Sequence, residues 1–223
     1  MDILLDHIGG IQLKCPECGK KIKNIEQKYC ENCGYDLIEG EIKSNLNLFD
    51  LRQKFYIMTE NYWKHGSGKI FNENGEVIGF IEEKNNKILI KNSDGSLLAL
   101  ISSKPLSLHH EHRLRDPDGN LIARYKKKMV TNFRSIFYLE DKFGHRWYEA
   151  YGEFMDFRFN VKEIASEKIL AEFDKAQKWN DQIVPRLLKH YDSYALKIND
   201  QVTDRKILLG FVLGAKYIIY DVF

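Results

Sequence analysis

Asp94-Gly95-Ser96-Leu97-Leu98-Ala99-Leu100-Ile101 is the stretch whose reading decides the fold, because the chain repeats it on either side. Asn74-Gly75-Glu76-Val77-Ile78-Gly79-Phe80-Ile81 precedes it, and Asp118-Gly119-Asn120-Leu121-Ile122-Ala123-Arg124-Tyr125 follows. In each copy a small residue stands four after the turn glycine (Gly79, Ala99, Ala123) and a lysine stands nine after it (Lys84, Lys104, Lys128). Asn-Gly and Asp-Gly are strong hairpin signals, since both central residues of a type I′ turn need positive φ. Each copy is therefore expected to be a β-hairpin closed by such a turn. Fainter copies stand at residues 143–148 and 167–173, the second without its glycine.

Turns roughly twenty residues apart, flanked by short apolar runs, describe a long antiparallel meander that closes on itself or folds into a sandwich. Residues 163–179 carry Ile169, Leu170, Phe173 and Ala176 at helical spacing. Ala171 and Phe173 nevertheless keep the phase of the repeat, so the first half reads as a strand, with residues 175–189 as a helix or insert that Pro185 interrupts. Tyr194, Leu196 and Ile198 alternate with less apolar neighbours, as in a half-buried strand. The Asn and Asp residues of the turns do not make a calcium loop. A twelve-residue loop opening at Asp116 would need a glutamate where Lys127 stands.

Beyond that last strand the chain turns apolar. Asp204 suits a helix N-cap, and residues 207–223 are apolar around almost the whole circumference, with Lys216 and Asp221 as exceptions. Such a helix belongs in a protein interior or a bilayer. Its seventeen residues rise about 25 Å, short of a ~30 Å hydrocarbon layer. An ionised Lys216 within it would cost ~2.5 to 3.5 kcal/mol, so the interior is the expected home. Gly210 and Gly214 fit either setting, since the same spacing serves membrane helix contacts and close approach by surrounding strands.

Hairpins of the form D-G-x-hydrophobic-hydrophobic-A with a following lysine, here Asp94-Gly95 to Lys104 and Asp118-Gly119 to Lys128, resemble the LURP-one-related family. So does the closing helix Ile207-Leu208-Leu209-Gly210-Phe211-Val212-Leu213-Gly214-Ala215. Relatives of that family are the tubby C-terminal domain and the phospholipid scramblases. The resemblance covers about residues 50–223 and implies a mainly β fold: a closed antiparallel barrel of about twelve strands threaded by a buried hydrophobic C-terminal helix. Tubby-like domains bind phosphoinositide head groups and scramblases are linked to lipid movement, so the resemblance points towards anionic lipid. No tubby phosphoinositide motif aligns onto particular residues here, and the missing glycine near Glu167 and the added length at 175–191 depart from the pattern.

All four cysteines lie within nineteen residues near the N-terminus, as Cys15-Pro16-Glu17-Cys18-Gly19 and Cys30-Glu31-Asn32-Cys33-Gly34. Two C-x-x-C-G turns aim four thiolates at one ion about 2.3 Å away, a closed tetrahedral site that suits structural Zn2+ rather than catalysis. The segment resembles small zinc-ribbon modules over residues 11–37. The expected organisation is a zinc ribbon at 1–40, a polar linker at 41–49 and the barrel at 50–223. The apolar run Ile3 to Leu5 is too short for a signal-peptide core, and clustered thiols suit a reducing compartment. A cytoplasmic protein with optional peripheral membrane contact is expected.

The chain has 223 residues, 43% of them apolar and 30% charged, which excludes disorder, collagen and coiled coil. With 34 Lys and Arg against 32 Asp and Glu it is not globally basic. Residues 1–45 hold six Lys and no Arg against eight acids, and a four-thiolate zinc centre adds further negative charge. Nucleic acid is thus disfavoured as a partner of the ribbon, despite Lys20, Lys21 and Lys23. The densest basic run is Arg124-Tyr125-Lys126-Lys127-Lys128. On a strand, Arg124, Lys126 and Lys128 share one face and could present a row of cations to phosphate head groups, or could merely be a charged edge strand that prevents aggregation. His109-His110-Glu111-His112 offers two histidines on one strand face, too few for a metal site, and reads as an exposed polar strand. No nucleophile motif is present. The expectation is a non-enzymatic binding protein whose barrel takes an anionic lipid head group or a protein partner. The alternatives are a scramblase-like membrane-associated lipid-transfer protein, a nucleic-acid adaptor acting through the ribbon, and an enzyme using the barrel mouth.

Overall fold

A computed structural model describes residues 20, 31–32, 47–59, 65–103, 111–128, 136–188 and 193–220. The chain divides into two compact units, Met1–Asn45 and Leu46–Phe223. The four cysteines lie outside the described residues; within the first unit Lys20 Nζ donates to Asn32 Oδ1 at 2.6 Å.

The second unit contains twelve described strands: β1 (Phe55–Met58), β2 (Ser67–Phe71), β3 (Val77–Lys84), β4 (Lys87–Asn92), β5 (Leu97–Ser103), β6 (Glu111–Arg115), β7 (Leu121–Lys128), β8 (Ile136–Asp141), β9 (Arg146–Glu153), β10 (Arg158–Glu163), β11 (Ile169–Lys175) and β12 (Tyr194–Ile198). Each pairs antiparallel with its sequence neighbours, and β12 pairs with β1, closing the barrel. Closure leaves none of the described strands at a sheet edge.

The hairpins form where the repeats stand, but their turns differ from expectation. Among the turn residues of the repeats only the glycines have positive φ: +79° at Gly75, +86° at Gly95, +88° at Gly119 and +93° at Gly144. Gly75 N donates to Asn72 O at 3.0 Å, and Asn72 N to Glu76 O at 3.0 Å. This is a three-residue loop ending in a glycine bulge, and the strand registers shift beside it, as between Ile90 and Lys91. At the Gly75, Gly119 and Gly144 turns the side chain three residues before the glycine completes the device, whereas at the Gly95 turn Asp94 Oδ1 accepts from Ser96 N at 2.8 Å. Asp116 Oδ1 accepts from Asn120 N at 2.7 Å, and Asp141 Oδ1 accepts from Phe143 N and His145 N at 2.8 and 2.9 Å. A two-residue turn with both φ positive does occur, at Asn85 (+52°) and Asn86 (+58°), joining Lys84 to its partner Lys87. In the copy without glycine, Glu167 takes the left-handed conformation itself, at φ +58°.

Residues 175–189 form no long helix. A 3-10 turn (Ala176–Trp179) and a short helix α1 (Pro185–Leu188) lie over the outer side of β1 and β12. There Trp179, Ile183 and Leu187 bury Phe55, Ile57 and Ala195. That cover explains why β1 reads as an unbroken apolar run, Phe55-Tyr56-Ile57-Met58, instead of alternating: both of its faces are buried.

The C-terminal helix α2 (Arg205–Tyr220) begins where expected, with Asp204 Oδ1 accepting from Lys206 N at 2.8 Å. Phe211 and Leu213 have no exposed surface, as do Leu208 and Leu209. The barrel interior is therefore the home of this helix. A Cβ on Gly210 would stand 2.6 Å from Tyr125 Oη and 3.0 Å from Leu114 Cδ1, so glycine is what lets β6 and β7 approach. At Gly214 the corresponding contacts are 3.6 Å, ordinary van der Waals spacing. Through that gap the buried Tyr125 hydroxyl donates to Ile207 O at 2.9 Å. On the aromatic side Phe211 packs against Phe137 and Phe159 at ring separations of 5.8 and 5.5 Å. Arg205 is fully buried and bonds Thr203 O, Asp200 O and Leu51 O, tying the helix start to the segment that enters β1. Leu48, in the stretch read as linker, has no exposed surface and receives the Tyr56 hydroxyl on its carbonyl at 2.9 Å.

Candidate functional site

In β7, Ala123 and Tyr125 point into the core while Arg124, Lys126 and Lys128 take the outer face, the last of them exposed. Strand pairing adds neighbours that the linear sequence keeps apart. Arg113 lies opposite Arg124, Glu111 opposite Lys126, and on the other side Arg124 faces Glu140 while Lys126 faces Tyr138. Arg146 at the start of β9 pairs with Glu140. The wall of β6 to β9 thus gathers Arg113, Arg115, Arg124, Lys126, Lys128 and Arg146 around two carboxylates, Glu111 and Glu140.

Both carboxylates are nearly buried and shared. Lys126 Nζ stands 2.7 Å from Glu140 and 3.9 Å from Glu111; Arg113 Nε reaches Glu111 at 2.7 Å and Arg146 Nε reaches Glu140 at 3.4 Å. Burial alone would raise the Glu111 carboxyl. The Arg113 hydrogen bond and the charges of Arg113, Lys126 and Arg124 outweigh it and hold that group below the ordinary glutamate range. A surplus of positive potential on this wall is the physical meaning of that direction.

The surplus includes Arg124 and Lys128. Among the described residues neither has a carboxylate within ion-pair distance, and Arg124 Nε is buried with no hydrogen-bond partner. Tyr138 supplies an aromatic floor, with the Arg146 guanidinium 4.0 Å and the Lys128 ammonium 5.7 Å from its ring centre. Chemically, such a wall offers charge and fork-shaped donors to a phosphate or carboxylate.

The edge-strand reading of this run does not survive. β7 is paired on both sides inside a closed barrel, so its charges protect no edge. The histidine run also differs from expectation: His112 is buried on the inner side of β6 and Glu111 is nearly so, while His109 and His110 lie outside the described residues. Among the described residues no group of three His, Cys, Asp or Glu side chains could hold a metal. No helix among them is long and apolar enough to cross a membrane.

Arg146, Tyr138 and Glu140 are members of the wall that the linear sequence does not single out, and Glu111 stands out there only within the histidine run. The signal that reveals them is strand register: Glu111 faces Lys126 across the Gly119 hairpin, Glu140 faces Arg146 across the Gly144 hairpin, and Tyr138 and Glu140 meet Lys126 and Arg124 across β7–β8.

The profile of the LURP-one-related family matches residues 47–214. No curated protein matches the chain. An Arabidopsis thaliana protein of known X-ray structure aligns over 78% of this chain and 97% of its own length, at 12% identity and a TM-score of 0.36. A family match spanning every strand and most of the central helix leaves one conclusion: the chain belongs to the LURP-one-related family.

Proposed function

We propose that this protein is a non-enzymatic binding protein whose cationic β6–β9 wall takes the phosphate of an anionic phospholipid head group. The observation that carries this reading is the surplus itself: Arg124 and Lys128 stand on a wall whose two carboxylates are already engaged by Lys126, Arg113 and Arg146. A cation near an anionic membrane surface contributes about 1 kcal/mol, so Arg124 and Lys128 together add about 2 kcal/mol towards reversible attachment. Membership of the family supports a binding role, and its kinship with tubby-like and scramblase-like barrels, expected from the repeats, favours lipid over other anions. In this reading the protein is cytoplasmic and peripheral, held by its surface and not by a span.

Flotation with phosphatidylcholine vesicles, with and without phosphatidylserine, tests the reading on wild type and on the triple variant Arg124→Glu, Lys126→Glu, Lys128→Glu. Wild type should float only with phosphatidylserine, and the variant should remain at the bottom. Equal flotation of both removes the wall as the contact; no flotation of wild type shifts the function to a protein partner. A ribbon centred on Cys15, Cys18, Cys30 and Cys33 completes the proposal. Four thiolates in C-x-x-C-G pairs suit one structural zinc, and metal analysis of purified protein should find one equivalent, lost on Cys15→Ser with Cys33→Ser.

A further inference from the structure

The loop that joins β8 to β9 is unusual among the glycine turns in what it shows to solvent. Phe143, at its crest, is 74% exposed and Trp147, three residues past the turn glycine, is 43% exposed. Exposed large apolar side chains cost solubility unless something covers them. Ile169, at the start of β11, is 41% exposed.

The surrounding charge identifies what fits there. Lys142 Nζ lies 5.1 Å from the Phe143 ring centre, and Lys142, Arg146 and Lys168 are all exposed. The nearby acids have partners of their own: Asp141 accepts from the backbone of its own loop, Glu140 from Lys126 and Arg146, Glu163 from Ser166 and Glu167 from Lys162, while Asp200 pairs with Lys168. Among the described residues Lys142 is thus the cation of the tip with no carboxylate in ion-pair distance. The loop is also held in place, since Asp141 fixes both Phe143 and His145 through their amide hydrogens. A braced tip carrying Phe and Trp between cations has the composition of a segment that enters the polar–apolar boundary of an anionic bilayer. A protein groove would need a broader apolar surface than two rings at the crest of a turn.

We propose that the β8–β9 tip, through Phe143 and Trp147 flanked by Lys142 and Arg146, is the element of the barrel that inserts into the interfacial layer of an anionic membrane. This rests on the lipid reading above and adds to it the part that enters the bilayer. Attraction by the wall brings the surface near; insertion of the tip slows departure.

The experiment is sedimentation of the full chain with mixed phosphatidylcholine–phosphatidylserine vesicles, in which some phosphatidylcholine carries bromine on its acyl chains. Phe143→Ser with Trp147→Ser is expected to weaken partitioning about tenfold, and Phe143→Leu to restore part of it in the single-site series. Trp147 emission should be quenched by the brominated chains, and Trp147→Phe should remove that quenching. If wild type binds these vesicles without quenching of Trp147, the triple wall variant does not bind, and the tip variant binds as wild type does, the tip is overturned while the wall stands. If wild type binds no vesicles, both fall, and the tip becomes a protein contact.

Discussion

Replacing Gly210 with alanine perturbs the point where the central helix touches the wall that carries the cations. The new Cβ would lie 2.6 Å from Tyr125 Oη, a distance that real methyl carbons do not tolerate, and 3.0 Å from Leu114. The phenol cannot yield without losing its 2.9 Å bond to Ile207 O. Overpacking of a core costs about 1 to 3 kcal/mol, and a buried hydroxyl left without a partner about 1 to 3 more. Alanine returns about 1 kcal/mol of helix propensity. The net loss is therefore about 3 kcal/mol, read by urea denaturation, or roughly 6 to 12 °C in Tm for a chain of this size. In a Tyr125→Phe background the offending oxygen is gone and only the Leu114 contact remains, so the same substitution should cost no more than about 1 kcal/mol. Gly214→Ala, with 3.6 Å clearances, should be neutral or stabilising by up to about 1 kcal/mol. A Gly210→Ala protein as stable as wild type, or a cost unchanged by Tyr125→Phe, would refute the packing described here.

Four further outcomes follow from the same structure. Gly119→Ala, where nothing lies within 4 Å but φ is +88°, should lose about 1 to 2 kcal/mol from backbone conformation alone. Glu167→Gly, at φ +58°, should gain up to about 1 kcal/mol, less whatever its exposed contact with Lys162 contributes; equilibrium unfolding measures both. Glu111 and Asp200 are held below their ordinary values of 4.5 and 3.8, so the unfolded chain binds their protons more readily. Their contribution is present above those values and is lost as pH falls through and below them, and unfolding midpoints should decline from about pH 4.5 downward. Phe211→Ala, which removes a ring packed against Tyr125, Phe137 and Phe159, should cost about 3 to 5 kcal/mol by denaturant titration.

The barrel was legible because its signals are local. Glycine turns, the small residues after them and an all-round apolar helix each report their own environment, and the burial of Phe211 follows from composition alone. Turn geometry was less so. Asp94-Gly95 and Asp118-Gly119 suggest a type I′ turn, but the bond that sets the loop is made three residues before the glycine, by Asn92 and Asp116, and closes a bulge instead. The pair that does take the I′ form, Asn85-Asn86, contains no glycine at all. Half of the wall was visible, since Arg124, Lys126 and Lys128 alternate along one strand. Glu111, Glu140, Tyr138 and Arg146 reach it only through pairing across two hairpins, a non-local fact that the run of basic residues does not contain. The cover over β1 was hidden for the same reason: Trp179 and Leu187 look like an isolated insert until Phe55 and Ile57 are seen to need a partner.

The central functional claim concerns one side chain most of all. Arg124 has a buried Nε without a partner and no carboxylate within ion-pair reach among the described residues, so neutralising it leaves the fold's own ion pairs intact. The dissociation constant for phosphatidylserine-containing vesicles should rise about fivefold or more in Arg124→Gln, in line with about 1 kcal/mol for each cation at an anionic surface, with an unchanged unfolding midpoint. An unchanged dissociation constant would contradict the account.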